Sequence, residues 1–263
     1  MAKKIINNLE LFAPISLSEL NAQASYLKRI DRKFLLTVHD LSDILEELKN
    51  NFQALEICGN KVFQYDNVYM DTENYLFYQQ HQNKEKSRTK VRTRKYVDAN
   101  KTFFEYKQKE NWITSKYRYE FPIEEHWIMT KWKKRFFEGV YQSMYRVTES
   151  PKITPSIKTE YKRITLVGKG GSERLTIDFD IKTTDLRDSN AEKIHLKNLV
   201  IIESKSLSEN CFSCEIMENH WIKKAKSCSK YSLWIVYAWL AKKYSTFSDT
   251  MEKIAEIKKE IKK

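Results

Sequence analysis

The sequence predicts an α+β fold in which strands close into a barrel around a charged lumen, with helices packed on the outside. Three observations predict this fold class. Six segments alternate charged side chains with apolar or aromatic ones, which is the period of a β-strand. Other segments place apolar residues at helical spacing. The 263 residues include only 5 Gly and 4 Pro, so few long irregular loops are expected.

Composition narrows the class of protein further. Hydrophobic residues make up 41% of the chain and aromatic residues 13%, which suffices for a core and excludes global disorder. The 47 Lys and Arg exceed the 35 Asp and Glu by 12, and this surplus favours a polyanionic partner. Charge alone does not distinguish nucleic acid, an anionic membrane and phosphate-rich small molecules. No internal repeat or linker divides the chain, which indicates one domain.

The six alternating segments are spread over most of the chain. They cover residues 29–34, 91–94, 103–109, 116–120, 174–180 and 200–205. In the third segment, for example, Glu105, Lys107 and Lys109 share one face, opposite aromatic side chains. A single charged row usually faces water on an open sheet. Six such rows, whose opposite faces all require a core, favour a barrel that encloses the charges.

The charged rows are expected to line a shared lumen. Their basic members are Arg29, Lys33, Arg92, Arg94, Lys107, Lys109, Lys116, Arg118 and Arg174, and their acidic members are Asp31, Glu105, Glu120, Asp178, Asp180 and Glu203. Enclosed like charges repel, so a polyanion is expected to neutralise the cations. Arginine forks match phosphate oxygens, and carboxylates beside phosphate oxygens commonly hold Mg²⁺ or Mn²⁺. The pattern therefore predicts chemistry on a phosphoanhydride chain.

Helices are predicted at 40–50, 73–81, 127–138, 229–244 and 250–263. The last of them carries Ile254, Ile257 and Ile261 on one face with lysines around it. A solvated surface helix is the expected interpretation, and a helix that docks on a membrane surface or a partner is the alternative. The apolar run at about 231–241 is shorter than the ~20 residues of a membrane span and predicts a buried helix.

Two further motifs have plain structural interpretations. The four cysteines are too few for a disulfide scaffold and the N-terminus is a poor signal peptide, so reduced thiols in the cytoplasm are expected. Cys211 and Cys214, with His220 and Cys228, match a zinc site poorly because no second closely spaced cysteine pair is present. The glycine-rich stretch 167–172 precedes strand-like residues and predicts a hairpin turn, not a phosphate-binding P-loop.

Nine short motifs occur in an order and spacing that resemble the VTC domain. They are RIDRKFLL at 29–36, VYMDT at 68–72, RTR at 92–94, FEYK at 104–107, SK at 115–116, EYKR at 160–163, LTID at 175–178, IESK at 202–205 and SKY at 229–231. The VTC domain is the polyphosphate polymerase branch of the CYTH-like triphosphate tunnel metalloenzymes. The resemblance extends over about residues 25–240.

This resemblance implies an eight-stranded antiparallel β-barrel tunnel that binds a triphosphate or polyphosphate chain with Mn²⁺ or Mg²⁺. In polymerase members, the γ-phosphate of ATP is transferred to a growing polyphosphate. Transferred by motif, the implied catalytic and phosphate-binding residues are Lys33, Arg92, Arg94, Lys107, Arg163, Glu203 and Lys230. Further ligand contacts are expected from Arg29, Lys109, Lys116, Arg118, Arg174, Lys205 and Lys226. The implied metal ligands are Glu203 first, with Asp178 and Glu105 beside it.

Two positions depart from the family pattern. The hydrolytic and cyclase relatives carry acid-x-acid-x-Lys in the first strand, whereas this chain has Arg29, Asp31 and Lys33. One metal-binding carboxylate is therefore replaced, which favours the polymerase branch. Upstream of Lys230, the matching basic residue is either Lys226 or Lys224, and the motif does not fix which.

We therefore expect a VTC-like tunnel domain at 25–245, preceded by an N-terminal segment at 1–24 and followed by a Lys-rich helix at 246–263. The expected function is that of an ATP-dependent polyphosphate polymerase. The alternatives are a metal-dependent triphosphatase on the same site and a non-catalytic module that binds polyphosphate or another polyanion. The expected ligands are ATP and polyphosphate or triphosphate, with no specific nucleic acid. The expected location is cytoplasmic, with the C-terminal helix as the docking element for a membrane protein partner.

Overall fold

The structure is a computed structural model that describes residues 2–23, 29–111, 113–237 and 244–259. Its strands are β1 (Ala13–Ile15), β2 (Ile30–Thr37), β3 (Phe52–Leu55), β4 (Phe63–Asp71), β5 (Ser87–Tyr96), β6 (Lys101–Glu110), β7 (Ile113–Glu120), β8 (Thr154–Gly168), β9 (Glu173–Asp185), β10 (Ile194–Leu196) and β11 (Leu199–Ser206). Its helices are α1 (Ala2–Glu10), α2 (Leu17–Gln23), α3 (Val38–Leu48), α4 (Leu76–Gln82), α5 (Lys131–Tyr145), α6 (Phe212–Asn219), α7 (Lys230–Tyr237) and α8 (Ser248–Lys259).

Eight strands form a continuous antiparallel sheet in the order β2-β11-β9-β8-β4-β5-β6-β7, and the short strands β1, β3 and β10 extend it. All six segments predicted from charge alternation are strands of this sheet. The prediction of a closed barrel is corrected at one seam: among the described residues, β7 does not pair with β2. β7 is largely exposed on both faces. Its charged side chains keep this edge hydrated, as is common for edge strands.

The sheet nevertheless curls around one of its faces. Lys107 on β6 lies within electrostatic reach of Lys33 on β2 and Glu203 on β11, although β2 and β6 are far apart in the strand order. The charged rows therefore face a common, tunnel-like lumen, as the alternation predicts.

Helices cover the opposite, outer face of the sheet. The side chain of Thr37 and the carboxylate of Asp40 cap the start of α3 reciprocally, and Leu41 and Leu45 on that helix are fully buried. They belong to an apolar cluster that includes Ile202 of β11 and residues of α1 and α6. A second outer cluster packs α4 and α5 against β4, β5 and β6. These clusters fix the curvature that positions the lumen.

One end of the lumen face is apolar and is covered by α7. Leu35, Tyr69 and Ile201 continue the charged rows along their strands and pack with Leu233 and Trp234 of α7. The helix therefore closes part of this end and brings its first residue to the charged lumen. The apolar run at about 231–241 is predicted to form a buried helix, and its described part, up to residue 237, does so. Residues 238–243 lie outside the described structure.

The terminal segments pack on the same body. Ile5 and Leu9 of α1 are buried in the outer cluster beside α3. Ile254 and Ile257 of α8 are each 1% exposed and pack in the cluster with α7. The chain's own core therefore covers these two side chains, and docking of a membrane protein partner on this Lys-rich helix stays a prediction. Ile261 lies outside the described residues.

The remaining predicted elements are recovered with shifted ends. The helices predicted at 40–50, 73–81 and 127–138 are observed as α3, α4 and α5, and those at 229–244 and 250–263 as the described parts of α7 and α8. The glycine-rich stretch forms the hairpin turn between β8 and β9, with Gly170 at φ +85°. None of the helices in the described ranges has the length and apolar character that a membrane span requires.

The cysteines differ from the expectation of reduced thiols. Cys211 and Cys214 form a disulfide across the first turn of α6. Cys58 is a free thiol at the surface, and Cys228 is a free, partly buried thiol. Because disulfide-bonded cysteines have no thiolate, Cys211 and Cys214 are not available as zinc ligands in this structure.

Candidate functional site

Cross-strand pairing defines the lumen face, because side chains directly opposite each other in a sheet point the same way. Three such rows are Lys33, Glu203 and Thr176; Arg92, Glu105 and Arg118; and Lys90, Lys107 and Lys116. Arg163 on β8 lies opposite Asp178 on β9 in the same way. The structure therefore brings residues from all the predicted strands to one face of the curled sheet, which stays open on the side of β7.

Glu105 is a buried carboxylate that holds three cations. Its Oε2 accepts a hydrogen bond from Nε of Arg92 at 2.7 Å and lies 3.4 Å from Nη2 of Arg94. Its Oε1 lies 2.9 Å from Nζ of Lys116, and the side chain is only 2% exposed. Burial acts to raise the pKa of Glu105, but Arg92 and Lys116 outweigh burial and hold the pKa below its usual value. Glu105 is therefore an ionised internal counterion.

Asp178 holds a second group of cations near the middle of the lumen. Arg163 donates from Nε to Oδ1 at 2.6 Å and from Nη2 to Oδ2 at 2.8 Å. Lys230, the first residue of α7, forms an ion pair with Oδ2. Burial acts to raise the pKa of Asp178, but Arg163 and Lys230 hold it below its usual value. This carboxylate fixes both cations and the start of α7 in the lumen.

Glu203 belongs to a more open chain of charges on β2 and β11. Nζ of Lys205 lies 3.0 Å from Oε1 of Glu203 and 3.1 Å from Oδ2 of Asp31. The other oxygen of Asp31, Oδ1, accepts a hydrogen bond from Nε of Arg29 at 3.1 Å. Burial acts to raise the pKa of Glu203, but Lys33 and Lys205 lower it far below its usual value. In the described part of the chain, no hydrogen bond reaches Oε2 of Glu203. An ionised carboxylate oxygen therefore faces the lumen.

Lys33, Lys90 and Lys107 form a group that we call the lysine cluster. Nζ of Lys33 donates to the carbonyl of Cys228 at 2.9 Å, and Nζ of Lys90 donates to Oγ of Ser229 at 2.8 Å. Among the described residues, no carboxylate lies within 4.0 Å of these three ammonium groups. Among the described residues these ammonium groups therefore have no direct ion-pair partner, and Glu203 acts on Lys33 and Lys107 only at longer range; Lys33 and Lys90 are half-buried, and Lys107 is exposed.

Electrostatic repulsion within the lysine cluster is reflected in its pKa values. Burial, followed by the charge of Lys33, lowers the pKa of Lys107 to about 8. Burial, followed by Lys33 and Lys107, lowers the pKa of Lys90 well below its usual value. A multivalent anion at this position would relieve both effects, because it favours the charged forms. The lysine cluster is thus the strongest candidate anion site in the lumen.

A cavity of about 980 Å³ continues from the lysine cluster to the outside of the molecule. We call it the lysine cavity. Its charged lining residues are Lys84, Glu85, Lys86, Arg88, Lys90, Lys107, Lys109, Lys226 and Asp249. Seven of these nine side chains are basic, so a polyanion would meet a favourable potential along the whole cavity.

The other predicted residues lie around this frame. Arg118 is exposed on β7, with its guanidinium 4.9 Å from the ring centroid of Phe103. Arg174 is partly buried, and burial followed by the charge of Arg29 lowers its pKa. Lys226 lies at the rim of the lysine cavity, where its Nζ is 2.8 Å from Asp249 and 85% of the side chain is exposed. The alternative to it, Lys224, does not line the cavity.

Asp180 does not share the lumen with Asp178, although strict alternation predicts that it does. The backbone at Asp180 has φ +52°, and the pairing of β8 with β9 shifts register between Glu160 and Lys162. This bulge turns the carboxylate to the outer face, where it lies 3.0 Å from Nζ of Lys162 and 2.7 Å from Nε2 of His195. The predicted lumen therefore loses one of its six acids.

Sequence reasoning missed Lys90 and Arg88 on β5. Both share the face of Arg92 by period two and line the lysine cavity. Extending the alternation of Arg92 and Arg94 backwards by two and four residues would have found them. His81 at the end of α4 also lines the cavity, and its Nε2 is buried without a hydrogen-bond partner in the described structure. Burial and the charge of Lys90 lower the pKa of His81 well below its usual value.

The carboxylates of the lumen fit a divalent metal only in part. Across the described ranges, no group of three or more His, Cys, Asp or Glu side chains converges as a metal site. Glu105 and Asp178 are engaged by arginine and lysine, and their predicted role as metal ligands competes with these ion pairs. Oε2 of Glu203 is the oxygen that fits as one ligand, with phosphate oxygens of a substrate as the others.

Comparison with known families gives one match. The sequence profile of the VTC domain matches residues 28–237, which is most of the chain. No sequence among the curated proteins matches significantly.

Several solved structures are similar to this one. They include a protein from Pyrococcus horikoshii OT3, 14% identical, which covers 79% of this chain and 99% of its own at a TM-score of 0.39. A Vibrio parahaemolyticus protein described as a candidate adenylate cyclase is 10% identical, with coverages of 78% and 97% and a TM-score of 0.42. A Hippeastrum protein described as having a dominant triphosphatase activity is 12% identical, with coverages of 78% and 94% and a TM-score of 0.45.

Proposed function

Because the chain belongs to the VTC domain family, we propose that it is an ATP-dependent polyphosphate polymerase. The family and the tunnel-like fold support an enzyme that acts on triphosphates. The specific observation in favour of polymerisation is the lysine cavity, which extends the basic lumen from the lysine cluster to the outside. Hydrolysis requires room for three phosphates and a water molecule. A growing chain also requires a basic path along which it can extend.

The proposed reaction is a phosphoryl transfer between two phosphate chains. A terminal oxygen of the polyphosphate forms a bond to the γ-phosphorus of ATP, and the bond from that phosphorus to the β–γ bridging oxygen breaks. ADP leaves with that oxygen, and the polyphosphate becomes one unit longer. Such a transfer depends on alignment and charge neutralisation more than on a protein nucleophile.

The residues of the lumen suit these two tasks. Lys33, Lys90 and Lys107 offer ammonium groups that no carboxylate of the described residues pairs with directly, and a bound phosphate would favour their protonated forms. Arg92 and Arg163 are held in fixed orientations by Glu105 and Asp178, so that their guanidinium groups are preorganised before substrate binds. Lys205, Arg29 and the other outer cations would bind phosphates farther along the chain.

A divalent cation would be held by Glu203 together with phosphate oxygens. When bound, it supplies further neutralisation of the reacting phosphates. The ionised state of Glu203 is set by Lys33 and Lys205 and does not require the cation to be present.

The test incubates purified protein with ATP and Mn²⁺ or Mg²⁺, resolves polyphosphate on gels and measures free phosphate in parallel. Long polyphosphate formed with ADP would support the polymerase. Free phosphate without polymer would support the triphosphatase instead. Glu203→Ala should abolish turnover, whereas Asp180→Asn, a carboxylate change on the outer face of β9, should leave it unchanged. A polyanion-binding module would bind tripolyphosphate without turning over ATP, with or without Glu203.

A further inference from the structure

The two ends of the lumen differ in chemistry. At the end that α7 partly covers, the lysine cavity opens beside the start of that helix and is lined mainly by lysines. The opposite end, where β5 finishes and β6 begins, carries rings and guanidinium groups instead. We call it the aromatic mouth, defined by Tyr65, Tyr96, Phe103, Arg94 and Arg118.

The rings of the aromatic mouth form a connected surface on the lumen face. Tyr65 and Tyr96 are cross-strand partners with ring centroids 5.0 Å apart. Tyr96 meets Phe103 edge to face at 5.7 Å. Tyr65 stacks on the buried ring of Tyr161 at 5.4 Å, with the planes 6° from parallel. Tyr65, Tyr96 and Phe103 are all only partly buried, so ring surface faces the lumen.

Two guanidinium groups extend this surface. That of Arg118 lies 4.9 Å from the centroid of Phe103, and that of Arg94 lies 5.8 Å from the centroid of Tyr96. Arg94 also donates to the hydroxyl of Tyr96 at 3.3 Å. Planar rings and guanidinium planes are the surfaces on which nucleobases stack in proteins.

Packing of the core does not account for these rings. The apolar clusters under α3 and α5 lie on the outer face of the sheet, and Tyr96 and Phe103 belong to none of the apolar clusters. Both rings instead share the lumen with Arg94 and Glu105. Partly open aromatic side chains beside a phosphate-binding lumen suit a ligand that joins an aromatic group to a phosphate chain.

We propose that the aromatic mouth binds the base of a nucleoside triphosphate, which stacks on the face of one of the two perpendicular rings of Tyr96 and Phe103 and meets the other ring edge to face. The triphosphate then runs inward along Arg94 and Arg92 to the lysine cluster, and its γ-phosphate faces the lysine cavity. This assignment rests on the proposed function. It says which end of the lumen each substrate uses: ATP, the phosphoryl donor, enters at the aromatic mouth, and the acceptor polyphosphate lies in the lysine cavity.

The test compares ATP with inorganic tripolyphosphate, which carries the same number of phosphates without a base. Binding of each to the full chain is measured by calorimetry in the presence of Mg²⁺, for the wild type, Tyr96→Leu and Phe103→Leu. Loss of one stacking partner should weaken ATP binding about tenfold. Tripolyphosphate binding should not change, which also reports that each variant is folded. Since every base has a π-face, GTP should lose as much affinity as ATP.

Tyr117→Leu is the matched control, because Tyr117 is exposed on the outer face of the adjacent strand β7. It should bind both ligands as the wild type does. Equal losses of ATP and tripolyphosphate in Tyr96→Leu and Phe103→Leu, or no loss of either, would overturn the base site and leave the proposed function standing. Failure of the wild type to bind either ligand would overturn both.

Discussion

The lysine cluster should couple anion affinity to pH. In the empty lumen the pKa of Lys107 is about 8, because burial and the charge of Lys33 disfavour its protonated form. A bound phosphate chain favours that protonated form. Above pH 8, binding therefore requires that Lys107 take up a proton. Affinity for tripolyphosphate should be highest below pH 8 and should fall as the pH rises through this value.

The size of the effect follows from the pKa of Lys107. We take Lys107 to be fully protonated in the complex. Relative to the Kd at low pH, where Lys107 is also protonated in the free protein, the apparent Kd is then about 1.1 times larger at pH 7 and about 11 times larger at pH 9. Affinity should therefore fall by up to about tenfold between these pH values through Lys107, less the screening by solvent at this exposed side chain. Lys90, whose pKa is also depressed, can only steepen this fall.

Calorimetric titration with tripolyphosphate from pH 6.5 to 9, without metal and at constant ionic strength, measures the slope. Lys107→Gln should bind tripolyphosphate more weakly at pH 7. Above pH 8 it should take up about one proton fewer on binding than the wild type, so its affinity should depend less on pH. Lys95→Gln changes a lysine on the outer face of β5 and should reproduce the wild-type curve. A slope in Lys107→Gln as steep as that of the wild type would contradict the assignment of the titrating group to Lys107.

Three further predictions concern the lumen carboxylates. Asp178→Asn leaves the buried charges of Arg163 and Lys230 uncompensated and should cost about 3–5 kcal/mol of unfolding free energy in urea titrations. Glu203→Gln removes the carboxylate charge that Lys33 and Lys205 stabilise, so it should lower the melting temperature at neutral pH, and it should also lose metal-dependent turnover of ATP. Since folding depresses the pKa values of Glu105 and Asp178, these groups add stability above pH ~4, and calorimetry should show the melting temperature falling as the pH drops below it.

Each of these predictions has an opposing result. A stable Asp178→Asn would mean that Arg163 and Lys230 find other counterions. Undiminished metal-dependent turnover in Glu203→Gln would contradict the assignment of Glu203 as a metal ligand. A melting temperature that is constant from pH 6 to pH 3 would show that Asp178 and Glu105 titrate alike in the folded and unfolded chains.

The alternation of charged and apolar residues predicted the strands and their lumen faces because the period of a strand is a local property. Glu105 and Lys107, for example, reach the lumen by backbone geometry alone, whatever strand lies beside β6. The same local rule, extended two residues back from Arg92 along β5, also reaches Lys90.

The rule failed where long-range packing changes the backbone. The left-handed conformation of Asp180 and the register shift opposite it depend on how β8 and β9 pair, and no glycine marks the position. The open seam between β2 and β7 likewise depends on how far the whole sheet curls.

Which cation pairs with which carboxylate in the site could not be predicted from the sequence either. Lys230 meets Asp178 because α7 covers the end of the lumen face, and these residues are 52 positions apart in the chain. The division of cations into those with a carboxylate partner and those without one appears only in three dimensions. That division separates the residues that shape the lumen from those left for a ligand.

The lysine cavity has a practical consequence for work at the bench. Because it is open to solvent and seven of its nine charged lining side chains are basic, we expect it to accept small anions as well as phosphate chains. Inorganic phosphate and sulfate in a buffer would then compete there, and each would lower the measured affinity by the factor 1 + [anion]/Kd. Constants for this protein should therefore be compared only between solutions that hold the same anions.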